Sequence, residues 1–251
     1  MLLGTIVRYL DETLKTADFP QDTSLNGLQV EGSVRVRRAA FAVDACMESI
    51  RRAARIRADL LIVHHGLFWG DAVPITGIMA KRIGTLLKHS ISLYACHLPL
   101  DCHPEIGNNI QLARLVRIRE PKSFGLYKGH RIGLYGHLTR PVTVRSLAAS
   151  LRKSLGAPVR TFAFGPERIS KLGIVSGNGG FLMEEAARLG CDALLTGEPS
   201  YTAYHPAREG GVSLICSGHY ATETVGLKAL SEMVKQELDL PTHFIETPSE
   251  L

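Results

Sequence analysis

Two stretches of this 251-residue chain, starting at positions 53 and 186 and so offset by 133, are built alike. Ala53-Ala54-Arg55-Ile56-Arg57-Ala58-Asp59-Leu60-Leu61-Ile62 parallels Ala186-Ala187-Arg188-Leu189-Gly190-Cys191-Asp192-Ala193-Leu194-Leu195. The runs before them correspond at the same offset, Ala40-Phe41-Ala42-Val43-Asp44 with Gly173-Ile174-Val175-Ser176-Gly177. Each unit reads as strand, helix, strand. Short apolar strands alternating with amphipathic helices argue for a parallel or mixed sheet covered by helices. The pattern continues after each unit, with helices over 76–89 and 201–209 leading into strands over 91–96 and 212–216. The expected fold is therefore α/β, with two similar lobes related by internal duplication.

Pro121 and Gly125 suit a linker, which places the first lobe at 1–120 and the second at 121–251. The stretch from 120 to 164 is less patterned. It predicts a strand over 131–136, a helix over 142–155 and a strand over 158–164.

Composition narrows the functional classes. No apolar run approaches the roughly 18–20 residues that cross a bilayer. Charged Arg8, Asp11 and Glu12 follow the start too closely for a secretory apolar segment. A soluble, cytoplasmic protein without membrane contact is expected. The five cysteines, Cys46, Cys96, Cys102, Cys191 and Cys216, form no Cys-x-x-Cys pair, which argues against a structural zinc or a disulfide framework. Cys102, directly after Asp101, is the one to watch for reactivity, although packing accounts for it equally well. The formal charge is +5, with arginines concentrated at 35, 37, 38, 51, 52, 55 and 57. Such a cluster suits a solvated helix face, or a surface that attracts a phosphorylated substrate or nucleic acid.

Three short segments carry ligand chemistry. His64 and His65 end the apolar run Leu60-Leu61-Ile62-Val63. Adjacent strand residues point to opposite faces, so both serve one site only if the chain turns there, which Gly66 permits. Strand C-terminal ends are where open α/β sheets place their sites. A single histidine in this position would read as a hydrogen-bonded core residue. Asp101 follows His97 through Leu98-Pro99-Leu100, and the run Asp101 to Glu105 also fits a helix N-terminal cap. His219 and Glu223 stand at i, i+4, so a helix opening at Gly218 and running to about Glu237 puts both on one face. The same spacing also suits a plain helix-stabilising pair.

Taken together the donors are three imidazoles and two carboxylates, more than one tetrahedral zinc takes. They suit two divalent ions sharing a bridging carboxylate. Nitrogen and oxygen donors without thiolate favour Zn, Mn, Fe, Co or Ni. Such a pair of ions activates water for hydrolysis of an ester, amide, amidine or phosphoester bond. A general acid must then serve the leaving group, and His97 is the nearest candidate, with packing as its other reading.

At these residues the chain resembles the YbgI-like dinuclear metal-centre proteins, often labelled GTP cyclohydrolase I type 2 homologues. The matching segments are Asn26-Gly27-Leu28-Gln29-Val30, Val63-His64-His65-Gly66-Leu67-Phe68-Trp69, His97-Leu98-Pro99-Leu100-Asp101, Gly107-Asn108-Asn109, Thr196-Gly197-Glu198 and Gly218-His219-Tyr220-Ala221-Thr222-Glu223. They span nearly the whole chain in the family's order. The resemblance implies that His64, His65, Asp101, His219 and Glu223 hold two divalent ions in a cleft between the lobes, with Glu223 as bridge. It also implies a homohexameric toroid and hydrolytic opening of the imidazole ring of GTP or another nucleotide.

There is no Gly-x-x-x-x-Gly-Lys-Ser/Thr phosphate loop. Ser176-Gly177-Asn178-Gly179-Gly180 either presents N–H groups to an anion or makes a tight turn that needs small residues. Glu198 stands at the repeat position of His65 and is not counted as a ligand. The alternatives to an enzyme are a toroidal nucleic-acid-binding protein and a metal-handling protein with a structural metal pair.

Overall fold

The computed structural model describes residues 1–249. In chain order it contains α1 (Leu3–Leu14), β1 (Gly27–Val30), β2 (Ala39–Asp44), α2 (Met47–Arg55), β3 (Leu60–His65), α3 (Gly77–Lys88), β4 (Ser92–Ala95), α4 (Leu98–Asp101) and α5 (Asn108–Leu115). It continues with β5 (Ile118–Tyr127), β6 (His130–Thr143), α6 (Val144–Leu155), β7 (Arg160–Phe162), β8 (Arg168–Ile174), α7 (Met183–Arg188) and β9 (Ala193–Thr196). The last elements are α8 (Tyr201–Glu209), β10 (Ser213–Cys216), α9 (His219–Glu237) and β11 (Thr242–Phe244). Two compact units result. One comprises Met1–Ile106 with Gly226–Thr247, the other Gly107–Val225 with the segment from Pro248. A division at residue 120 was the expectation. The units divide at Gly107, and the boundary at Gly226 falls within α9.

The first unit holds a five-stranded sheet in the order β1-β4-β3-β2-β11. β4, β3, β2 and β11 run parallel, and β1 is antiparallel at the edge. Leu60, Leu61, Ile62 and Val63 are all buried, as a strand covered on both faces must be. Ala40, Ala42, Leu61, Val63, Leu93 and Ala95 pack with Ile50 and Ala53 of α2 and Leu86 of α3. α2 begins at a reciprocal cap: Ser49 N–H donates to Cys46 Sγ, and Cys46 N–H donates to Ser49 Oγ.

The second unit holds a six-stranded mixed sheet in the order β5-β6-β8-β9-β10-β7. α6 shows why the sequence folds as it does locally. Thr143 Oγ1 accepts from Ser146 N–H at its start, and Gly156 closes it in the left-handed region at φ 66°. Val144, Leu147, Ala148 and Leu151 form the buried stripe between these caps.

Register confirms the duplication. Ala39 pairs with Leu60 in the first sheet, and Leu172 pairs with Ala193 in the second, each 133 residues on. In both, three parallel strands follow one another with a helix in each connection.

The hairpin β5–β6 departs from the expected linker. Pro121 and Gly125 lie inside β5, not between lobes. β5 is an edge strand, and the register shifts between Arg119 and Lys122, so the missing Pro121 N–H costs no ladder bond. Val142 and Thr143 finish β6 against Ile169 and Arg168, so the helix starts two residues later than expected. β11 carried no signal of its own. It is three residues long and is recruited by pairing with β2.

Candidate metal centre

In the first unit the sheet delivers three imidazoles to one place. β3 ends at His65 and the chain bends at Leu67, and Gly66 between them is not among the residues of positive φ. Its lack of a side chain serves close packing instead. A Cβ there would meet the Gln29 amide at 2.4 Å and Ala95 Cβ at 2.7 Å. The ring centroids of His64 and His65 are 4.8 Å apart, and those of His64 and His97 are 5.1 Å apart. One ligating nitrogen from each of His64, His65 and His97 lies within 4.8 Å of the others.

Each ring is fixed from behind through Nδ1. His64, fully buried, places Nδ1 2.8 Å from the Cys96 carbonyl oxygen. His65 Nδ1 lies 2.9 Å from Asp44 Oδ1, the strand neighbour across β2–β3. His97 Nδ1 lies 3.0 Å from Asp22 Oδ1. A carbonyl oxygen or a carboxylate only accepts, so Nδ1 carries the hydrogen and Nε2 the lone pair in the neutral ring. That is how metal-binding imidazoles are oriented. Asp101 Oδ2 stands 3.5 Å from His64 Nε2. The cap expected of Asp101 does not form, because it is the last residue of the short α4.

Asp22 anchors this side. It also accepts from the backbone N–H groups of Ser24 and Leu98 and from the Asn26 amide. Burial tends to raise its pKa, but the contacts with His97, Asn26 and Ser24 outweigh burial and hold it below the ordinary value.

In the second unit α9 opens at His219 and sets His219 Nε2 3.1 Å from Glu223 Oε1, one turn on. His219 Nδ1 meets Glu198 Oε2 at 3.1 Å, the same arrangement as the other three rings. Glu223 is 3% exposed. Burial pushes the His219 pKa down. The hydrogen bonds and charges of Glu223, then Glu198, outweigh burial and bring it up to about 9.

Gly177, at φ 59°, passes close beneath this pair. A Cβ there would fall 2.3 Å from Glu223 Oε1 and 3.1 Å from His219 Nε2. Its N–H donates to Thr222 Oγ1, and its carbonyl accepts from Gly197 N–H. The glycine-rich segment is thus the tight turn of the two readings, with its smallness used to seat the carboxylate.

The sequence names the imidazoles and acids but not what holds them. Asp44 was findable as the polar end of the strand beside His65. Asp22 sits in a loop without periodicity and carried no signal. Burial, helped by Asp101 and Asp22, raises the Cys102 thiol to about 12, which disfavours the reactive thiolate. Burial likewise raises Cys191 to about 11 and Cys216 to about 12. The donor set fits a divalent transition ion, with oriented nitrogen donors and carboxylates.

Among the described residues, no helix is long and apolar enough to cross a membrane. Residues 1–250 match the family model described as Duf34/NIF3 (NGG1p interacting factor 3). A GTP cyclohydrolase 1 type 2 homolog of Pyrococcus abyssi is 45% identical over 247 residues, covering 98% of each chain. The solved structure of protein ybgI superposes with a TM-score of 0.94 at 38% identity, over 100% of both chains. TTHA1606 from Thermus thermophilus gives 0.92 at 39% identity over the same coverage.

Proposed function

This chain belongs to the Duf34/NIF3 family, and on that premise we propose that it is a hydrolase dependent on two divalent metal ions. His64, His65, Asp101, His219 and Glu223 would hold the ions, with Glu223 as the carboxylate they would share. The supporting observation is the common setting of the imidazoles: Nδ1 of His64, His65 and His219 rests on the Cys96 carbonyl, Asp44 and Glu198, which directs the Nε2 lone pair outward as the donor. A pair of divalent cations in such a place supplies Lewis-acid activation of water and of the scissile bond. The substrate class is a nucleotide or cyclic amidine cut at a C–N bond, with GTP the first to test because relatives carry that label. His97, aligned by Asp22, exchanges a proton with the leaving nitrogen through Nε2. The working assembly is a homohexamer in the cytoplasm.

Incubation of zinc- or manganese-loaded protein with GTP is expected to release formate in step with loss of the guanine imidazole absorbance. Turnover of a different nucleotide without formate would retain the hydrolase and remove GTP. No turnover of any nucleotide or cyclic amide would overturn the enzyme reading.

His219 adds a pH signature. In the metal-free protein its proton is held up to about 9 by the two carboxylates, and a metal must displace it. Affinity should therefore rise with pH, roughly tenfold per unit between pH 7 and 9 from this one proton. Chelator-competition titrations, corrected for the chelator's own protonation, check this. A flat profile over that range would contradict His219 as a ligand.

A further inference from the structure

Trp69 is the single tryptophan of the chain, and it stands beside the histidines of the first unit with 40% of its surface exposed. Its indole centroid is 5.0 Å from that of His97 and 5.8 Å from that of His65. The ring planes meet at 74° and 49°, so neither imidazole lies flat against the indole. The indole N–H, its only polar group, donates to the Gly66 carbonyl at 3.1 Å. What it offers to solvent is therefore aromatic surface.

The segment carrying it is pinned on both sides. Leu25 N–H donates to the Phe68 carbonyl and Gly70 N–H to the Thr23 carbonyl, and Trp69 bridges Ser24 in antiparallel fashion. Those partners directly follow Asp22, the residue that aligns His97, so the indole and the imidazole share one scaffold. A rigid, part-exposed aromatic wall at hydrolytic donors is arranged to stack on a flat ligand.

We infer that Trp69 is the base-binding wall of this site: it stacks on the planar heterocycle of the substrate and sets its orientation toward His65 and His97. The inference takes its ligand class from the proposed hydrolase, but it concerns binding and stands apart from turnover. Stacking of this kind acts on any purine or related ring and ignores sugar and phosphate.

Because Trp69 is alone, its emission on excitation at long wavelength reports this one position. Metal-loaded full-length protein is titrated with guanosine, GTP and inorganic triphosphate. Guanosine and GTP should quench the emission saturably, and triphosphate should not. Equilibrium dialysis with GTP should show binding weakened about tenfold or more in Trp69→Ala and largely retained in Trp69→Phe. Metal content should be unchanged in both. Absence of quenching by either base, equal quenching by triphosphate, or wild-type affinity in Trp69→Ala would overturn the inference. Metal content and formate release are measured separately. Failure of the metal or hydrolase reading would appear there, while base quenching would persist.

Discussion

Glu223→Ala protein is expected to purify folded and to bind zinc or manganese at least about a hundredfold more weakly than the parent, since groups merely behind metal ligands already contribute roughly 10–100-fold. Glu223 is 3% exposed and directs Oε1 to His219 Nε2 at 3.1 Å, so no water-exposed substitute takes its place. As a bridge it would serve both ions, and its removal should deplete both together. Glu198→Gln is the graded comparison. Glu198 meets His219 at Nδ1, behind the nitrogen that would bind metal, and its replacement should cost no more than about 10–100-fold. Elemental analysis of dialysed proteins, with far-ultraviolet circular dichroism to verify folding, distinguishes the outcomes. Full metal retention by Glu223→Ala would rule out the bridge. Loss of half would make Glu223 a ligand to one ion only.

The second large effect is expected from a single methyl group. Gly177→Ala must hold φ near 59°, which costs an L-residue about 1–2 kcal/mol. Its Cβ would also sit 2.3 Å from Glu223 Oε1, and relieving such overpacking costs a further ~1–3 kcal/mol. For a chain of this size the midpoint of thermal unfolding should fall by roughly 5–15 °C. Metal affinity should fall with it, because the atom displaced is the carboxylate oxygen facing His219. Gly156→Ala separates the two causes. It has φ 66° but nothing within 4 Å of the added methyl, so it should lose the backbone part alone and leave metal binding intact. Equal metal loss in both variants would mean that general destabilisation, not displacement of Glu223, is responsible.

The duplication was legible in the sequence because buried parallel strands and their helices write long, regular apolar patterns, and those survive at a fixed offset. The helices at Tyr201–Glu209 and His219–Glu237 fall where the sequence places them for the same reason. The β5–β6 hairpin was not legible. An edge strand mostly exposed along its first half has no apolar alternation to show, and Pro121 and Gly125 read as loop until the register shift beside them is known. β11 is too short to carry a period. Within the site, the donor residues were legible because histidine at a strand end and His–Glu at one helical turn are local patterns. Their supports were not. Asp22 meets His97 from 75 residues away, and Asp44 meets His65 only through strand register. Gly177 reads as a turn residue, and nothing local to it signals that a carboxylate occupies the space its side chain would take.

The position of β11 bears on how the protein is made. It lies against β2, whose other neighbour is β3, yet its residues 242–244 follow every other described strand in chain order. While the polypeptide is still emerging from the ribosome, the strand Ala39–Asp44 must wait, with the row of backbone groups on that side open to water, until residues 242–244 have been made. Open strand borders of this kind invite mispairing with other nascent chains. Products of premature termination before Thr242 would keep that border permanently, which makes them natural clients for chaperones and proteases.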